Sequence, residues 1–126
     1  MSYKAIHKFA HISAQKVRTF ADIIRGQYAL EAVDALKFFP NRGARMLEKV
    51  LKSAIANAED LHVTDLDSLV VTDARVDGGP RMIKRMRPKS RGMASVIVKE
   101  ISHLSVTLEC EEPKAEKNDK GTDAKD

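Results

Sequence analysis

The chain has 126 residues and a mass of 14.0 kDa, which is enough for one domain. Its single cysteine, Cys110, rules out an intrachain disulfide, and no apolar run reaches the length of a membrane span. The formal charge of +4 is concentrated: residues 75 to 99 hold eight cations and one anion, residues 1 to 74 ten and nine, and residues 100 to 126 four and eight.

The opening MSYKAIHKFAHIS lacks the apolar run and small-residue cleavage site of a secretory signal. With one free cysteine this reads as a cytoplasmic protein. Tyr3 to Ala10 reads as an edge strand or an extended arm, with Ile6 and Phe9 out of phase for a regular strand. Ser13 is a good N-cap for a first helix, and Ile12 with Val17 occupies the hydrophobic-staple positions. Val17, Phe20, Ala21 and Ile24 form its apolar stripe, and Gly26 ends it. Lys16, Arg18 and Arg25 lie off that stripe, in solvent or against a partner.

A second helix is expected from about Ala29 to Phe38, with Leu30, Val33 and Phe38 inward, and Pro40 stops it. Asn41 can cap a third helix, about Arg42 to Leu61. Leu47, Val50, Leu51, Ala54, Ile55 and Ala58 line one of its faces, and the alanines at 54, 56 and 58 permit close approach. Glu48 and Lys52 form a favourable i, i+4 pair. Arg42, Arg45, Lys49 and Lys52 make a basic side suited to a flat anionic partner.

His62 to Asp67 reads as a polar connection. Two β-prone runs follow, Leu69 to Val76 and Val96 to Leu108, and together they predict a long hairpin. Asp77-Gly78-Gly79-Pro80 is placed to bulge or bend the first strand, and the turn is expected near Pro88 to Gly92. An arm from Arg75 to Pro88 has about 14 residues and a reach of roughly 45 Å. The expected architecture is α+β, with one domain over residues 1–110 whose hairpin, about 75–99, stands off a small body. Residues 111 to 126, EEPKAEKNDKGTDAKD, have no apolar periodicity and read as a disordered, acidic-leaning tail.

The arm holds the strongest functional signal. Arg81, Lys84, Arg85, Arg87, Lys89 and Arg91 place six cations in eleven residues, with no carboxylate between them. Such a field attracts a polyanion. Nucleic acid is the first candidate and anionic lipid the second, though Pro80, Pro88 and Gly92 oppose the basic amphipathic helix that lipid surfaces favour. The run has no aromatic residue, which argues against a stacking platform for single strands. It suits an arm threaded between folded RNA helices, with phosphate on both of its faces. Enzymatic chemistry is poorly supported. There is no HExxH, one cysteine cannot build a structural zinc site, and no GxxxxGK[ST] follows the glycine pair. Asp65 and Asp67 sit in a polar connection with no apolar wall to raise a pKa.

ISAQKVRTFADIIRG at 12–26, LKSAIANAE at 51–59 and VDGGPRMIKRMRPKSRGMASVIVKEISHLSV at 76–106 resemble a bacterial family, number twenty-two of the large-subunit ribosomal proteins. The resemblance covers about residues 5 to 108. It implies three helices packed on a small antiparallel sheet, with a long protruding β-hairpin. It also implies a role as a structural constituent of the large ribosomal subunit that binds its rRNA early in assembly. The hairpin would help form the wall of the nascent-peptide exit tunnel, where altered tips in the family go with macrolide resistance. Carried onto this chain, the RNA-binding residues are Arg81, Lys84, Arg85, Arg87, Lys89, Arg91 and Gly92 in the arm, with Lys16, Arg18 and Arg25 on the body. Lys89-Ser90 stands where the family commonly has Arg-Ala, and Met93 where it often has Arg. The implied partners are large-subunit rRNA, neighbouring large-subunit proteins and the nascent peptide near the tip. No cofactor, metal or membrane is implied, and the free protein is expected to be a monomer. The alternative is a free-standing regulatory protein that lays the same basic β-ribbon in a DNA groove; such readers are dimers.

Overall fold

The computed structural model describes residues 1–111. The tail expected at 111–126 lies outside the described residues except for Glu111. Three helices pack on one face of a three-stranded antiparallel sheet of order β1-β5-β2, and a separate two-stranded ladder, β3-β4, extends the hairpin. The α+β class and the helix count agree with the sequence.

Strand β1, Ser2–Ala10, is an edge strand. Tyr3 and Ala5 point into the core with the period of two that a strand imposes. The register with β5 then shifts between His7 and Ala10, and Phe9 takes a φ of 58°. This bulge explains the phase problem. Ile6 and Phe9 stay about half exposed, while Ala10 turns inward.

Helix α1 spans Ala14–Ile24 and buries Val17, Phe20, Ala21 and Ile24 as its stripe requires. Ser13 has the extended backbone of a cap, but its side chain makes no cap hydrogen bond. Gly26 ends the helix with a φ of 85°, and its N–H donates to the Val71 carbonyl at 2.8 Å. Val71 N–H returns a bond to Gln27 O at 2.9 Å. The helix exit is thereby laced to the outer edge of β2, and that edge does not stand open.

Helix α2, Ala29–Lys37, buries Ala29, Ala32, Val33 and Leu36. The sequence places Leu30 and Phe38 inward, but both face outward; Phe38 is 86% exposed. The short helix has room for one inward row, and Leu36 together with small alanines fills it. Phe39 takes the place expected of Phe38, tilting against Phe20 at 5.2 Å between ring centroids. Helix α3, Arg42–Asp60, buries all six predicted core positions together with Gly43 and Ala44. Ala56 lies on the exposed side, and Asn41, like Ser13, makes no side-chain cap bond. Gly43 permits close packing of α3 on α1. A Cβ there would stand 3.3 Å from Val17 Cγ2 and 3.4 Å from Ile12 Cδ1.

The polar connection tightens into a 3-10 turn at Leu66–Ser68, where Asp65 Oδ1 accepts from Asp67 N–H at 3.0 Å. Asp65 therefore serves as a turn cap. β2, Leu69–Gly78, and β5, Ser102–Cys110, form the base of the hairpin. The sequence predicts an unbroken return strand from Val96 to Leu108, but it divides into β4, Ala94–Lys99, and β5. The outgoing strand breaks opposite, between β2 and β3, Ile83–Pro88. Gly79 and Ile101 make the joint. Gly79 N–H donates to Ile101 O at 2.6 Å, and a Cβ on Gly79 would meet that oxygen at 2.9 Å. Gly79→Ala is expected to push the joint open at a cost of about 1–3 kcal/mol, because the obstacle is backbone and cannot rotate away. Amide exchange at position 79 reads this directly: protection should fall, and unchanged protection would refute the close approach.

Glu111, placed in the tail by the sequence, belongs to the body. Its N–H donates to Ser68 O at 2.9 Å, and its carboxylate accepts from Tyr28 Oη at 2.7 Å. That bond, with the charge it brings, pushes the Tyr28 phenol above its ordinary pKa.

Candidate nucleic-acid interface

The arm is a ladder with no body of its own. All six residues of β3 are exposed. Cross-strand partners share a face of the ladder. Arg85 pairs with Ile97, Arg87 with Ser95 and Ile83 with Lys99, so one face carries three cations. Lys84 pairs with Val98, Met86 with Val96 and Pro88 with Ala94, so the opposite face carries one. Met86 is 69% and Val96 58% exposed on that face. The arm is therefore amphipathic across its thickness. The sequence predicts charge on both faces, but the register concentrates it on one.

Arg81 lies in the joint, 4.0 Å from Glu100. Lys89 opens the turn, and its N–H closes it by donating to Met93 O at 2.7 Å. Arg91 and Gly92 sit in the turn with φ of 60° and 69°. The turn stands where the sequence puts it. Lys84, Arg85, Arg87, Lys89 and Arg91 form no ion pair with any described residue. Among the described residues no carboxylate neutralises their charge.

The three body residues differ in kind. Arg18 donates through Nε and Nη2 to Val76 O at 3.3 and 3.2 Å. Arg25 donates through Nη2 to Ala74 O at 2.6 Å and pairs with Asp22 at 2.9 Å. Both guanidinium groups satisfy outer-edge carbonyls of β2 and dock α1 to the sheet, which no sequence spacing announces. Their exposed surfaces still add positive charge. Lys16 is exposed and makes no ion pair with a described residue. It lines a cleft of about 1320 Å³ between the body and the arm. Arg85 and Lys99 line the same cleft from the arm, and Arg42 from α3. Sequence reasoning missed the part of Arg42 and Lys99. It groups Arg42 with Arg45, Lys49 and Lys52, which stand outside the cleft, and Lys52 is tied to Glu48.

Among the described residues the arm is held by its own pairing and turn, and neither of its strands has a buried residue. Amides of β3 and β4 in the free protein are expected to exchange much faster than those of β2 and β5, which sit over the core. Equal protection along the whole hairpin would contradict this.

Among the described residues no group of three or more His, Cys, Asp or Glu side chains could hold a metal, and no helix is long and apolar enough to cross a membrane. Comparison with known proteins gives one family, described as Ribosomal protein L22p/L17e, which matches residues 5–109. A large ribosomal subunit protein uL22 from Rhodopirellula baltica is 55% identical over 111 residues, covering 84% of this chain and 92% of the relative. The uL22 protein of Caldicellulosiruptor saccharolyticus is 48% identical over 101 residues, covering 80% and 82%. That of Ligilactobacillus salivarius is 47% identical over 107 residues, covering 85% and 92%. The match spans the helices, the sheet and the whole basic arm, and the chain belongs to the ribosomal protein L22p/L17e family.

Proposed function

We propose that this protein is a structural constituent of the large ribosomal subunit, in the bacterial cytoplasm, which binds large-subunit rRNA through its basic arm. The observation that carries the reading is the arm: exposed cations, of which Lys84, Arg85, Arg87, Lys89 and Arg91 pair with no carboxylate among the described residues, held away from the core in a chain of this family. The family is a structural one, and the reading includes no enzymatic step. The finer roles rest on the family resemblance. They are early binding in subunit assembly, contact with neighbouring proteins, and a share of the exit-tunnel wall with the nascent peptide close to the tip. The weakly charged face with Met86 and Val96 supports the tunnel role, because a wall that many different peptides must pass should not hold them electrostatically. The free protein is proposed to be a monomer.

Co-sedimentation tests the reading. The protein should remain with large subunits through a high-salt wash and run as a monomer when released. Recovery away from large subunits, as a dimer that retains duplex DNA, would favour the β-ribbon regulator instead.

A further inference from the structure

The two edges of the three-stranded sheet differ. The outer edge of β2 is covered: Gly26 N–H and Gln27 O bond to Val71, and Arg18 and Arg25 donate to Val76 O and Ala74 O. The outer edge of β1 is not. β1 pairs with β5 alone, in unbroken register from Ser2 to His7. Among the described residues, one hydrogen bond reaches the other side of this stretch, from Asn57 Nδ2 to Lys4 O at 3.0 Å. That bond shows which way the backbone points. In an antiparallel strand the N–H and C=O of one residue share a side, and the side alternates along the chain. Ser2, Lys4 and Ile6 therefore turn their backbone groups away from β5. An uncovered edge about 20 Å long is a template for another strand.

Beside this edge runs a groove of about 300 Å³ between β1 and α3. Ala5, Met46 and Val50 give it an apolar lining, with His7, Lys49 and Ser53 next to them. Ile6, which is 50% exposed, adds further apolar surface. Lys4, Lys8 and Lys49 are exposed and form no ion pair with a described residue. β1 itself holds no carboxylate.

We infer that the outer edge of β1 accepts an extended segment of a partner protein as a fourth strand, one whose acidic side chains are set between apolar ones. The main chain supplies the hydrogen bonds, and one row of the segment's side chains enters the groove over Met46 and Val50. Carboxylates on the segment meet Lys4, Lys8 and Lys49. An edge that alternates N–H with C=O matches a polypeptide; a phosphate backbone would leave the carbonyls without donors. A second copy of this chain fits poorly, because β1 laid against β1 crowds lysines together. This chain's own C-terminal segment starts at the wrong edge. Glu111 is tied to Ser68 and to Tyr28, and Tyr28 bridges to Val70 on β2.

The test uses the full chain, isotope-labelled for NMR, and a capped hexapeptide of alternating Glu and Val as the probe. Backbone shifts should appear at Ser2 to His7 and at Met46, Lys49 and Val50, and the Lys4 and Ile6 amides should gain protection from exchange. The matching Lys–Val peptide should bind about fivefold more weakly or worse. Ile6→Pro removes an outward N–H but no bond to β5, and should weaken binding about three- to tenfold. N-methylation of the peptide amides that face β1 should do the same with the unaltered chain, free of any effect on folding. Binding that survives both changes would reduce the site to a groove and overturn strand addition. Shifts confined to β3 and β4 would mean capture by the charge of the arm, and no shift at all would mean that the edge takes no strand; either overturns the inference. Protection of Lys4 and Ile6 by an rRNA transcript in place of the peptide, or by dimerisation of the free chain, would assign the edge to that occupant and overturn it as well.

Discussion

Replacing Arg85, Arg87 and Lys99 together with alanine is expected to weaken binding to large-subunit rRNA by roughly 10- to 100-fold near 0.2 M salt. The three share one face of the arm through the pairs Arg85↔Ile97, Arg87↔Ser95 and Ile83↔Lys99. Each phosphate left without its cation takes somewhat less than one unit off the salt slope, and the three effects multiply in affinity. Lys84 stands on the opposite face beside Met86, Val96 and Val98. Lys84→Ala should therefore cost less than any single change on the charged face. Filter binding across a salt series separates the two faces. A Lys84 effect as large as that of Arg85 would show that phosphate encloses the arm on both sides. Folding should survive all four changes, since every one of these residues is exposed.

The largest effect on stability is expected from Leu104→Ala. Leu104 is fully buried on the central strand, between β1 at His7 and β2 at Val76, under the helices. Truncation should cost about 3–5 kcal/mol through the smaller transfer energy and the cavity left behind. That is a large share of the roughly 5–15 kcal/mol that holds a domain folded. Leu30→Ala, at a residue 42% exposed on α2, should cost less than about 1 kcal/mol. Denaturant unfolding measures both. Comparable destabilisation at the two positions would mean that α2 packs with its other face inward.

What is local was legible in the sequence. The period of α3 marks its whole buried face, Gly26 the end of α1, and Gly78-Gly79-Pro80 the break in the hairpin. What stayed hidden depends on residues distant in the chain. The β1 bulge depends on the register with β5, so Ile6 and Phe9 look merely irregular in sequence. Leu30 and Phe38 are as apolar as Leu36, and only the narrow space under α2 decides which turns inward. Arg18 and Arg25 carry the charge of RNA contacts, yet they spend donors on carbonyls of a strand 58 and 49 residues away. Lys99 and Arg42 look like ordinary surface cations until the joint at Gly79 and Ile101 turns the arm's face toward the body. The two faces of the arm can be told apart only once the cross-strand register is known, because a one-residue slip would exchange Arg85 with Lys84.

The most direct measurement is the density of this protein within its own large ribosomal subunit, at a resolution that shows side chains. Arg85, Arg87 and Lys99 should lie within about 4 Å of rRNA phosphate oxygens. The Met86 and Val96 face should be turned away from phosphate. Density with the charged face turned to open solvent, or packed on a neighbouring protein, would contradict an arm that binds rRNA through that face.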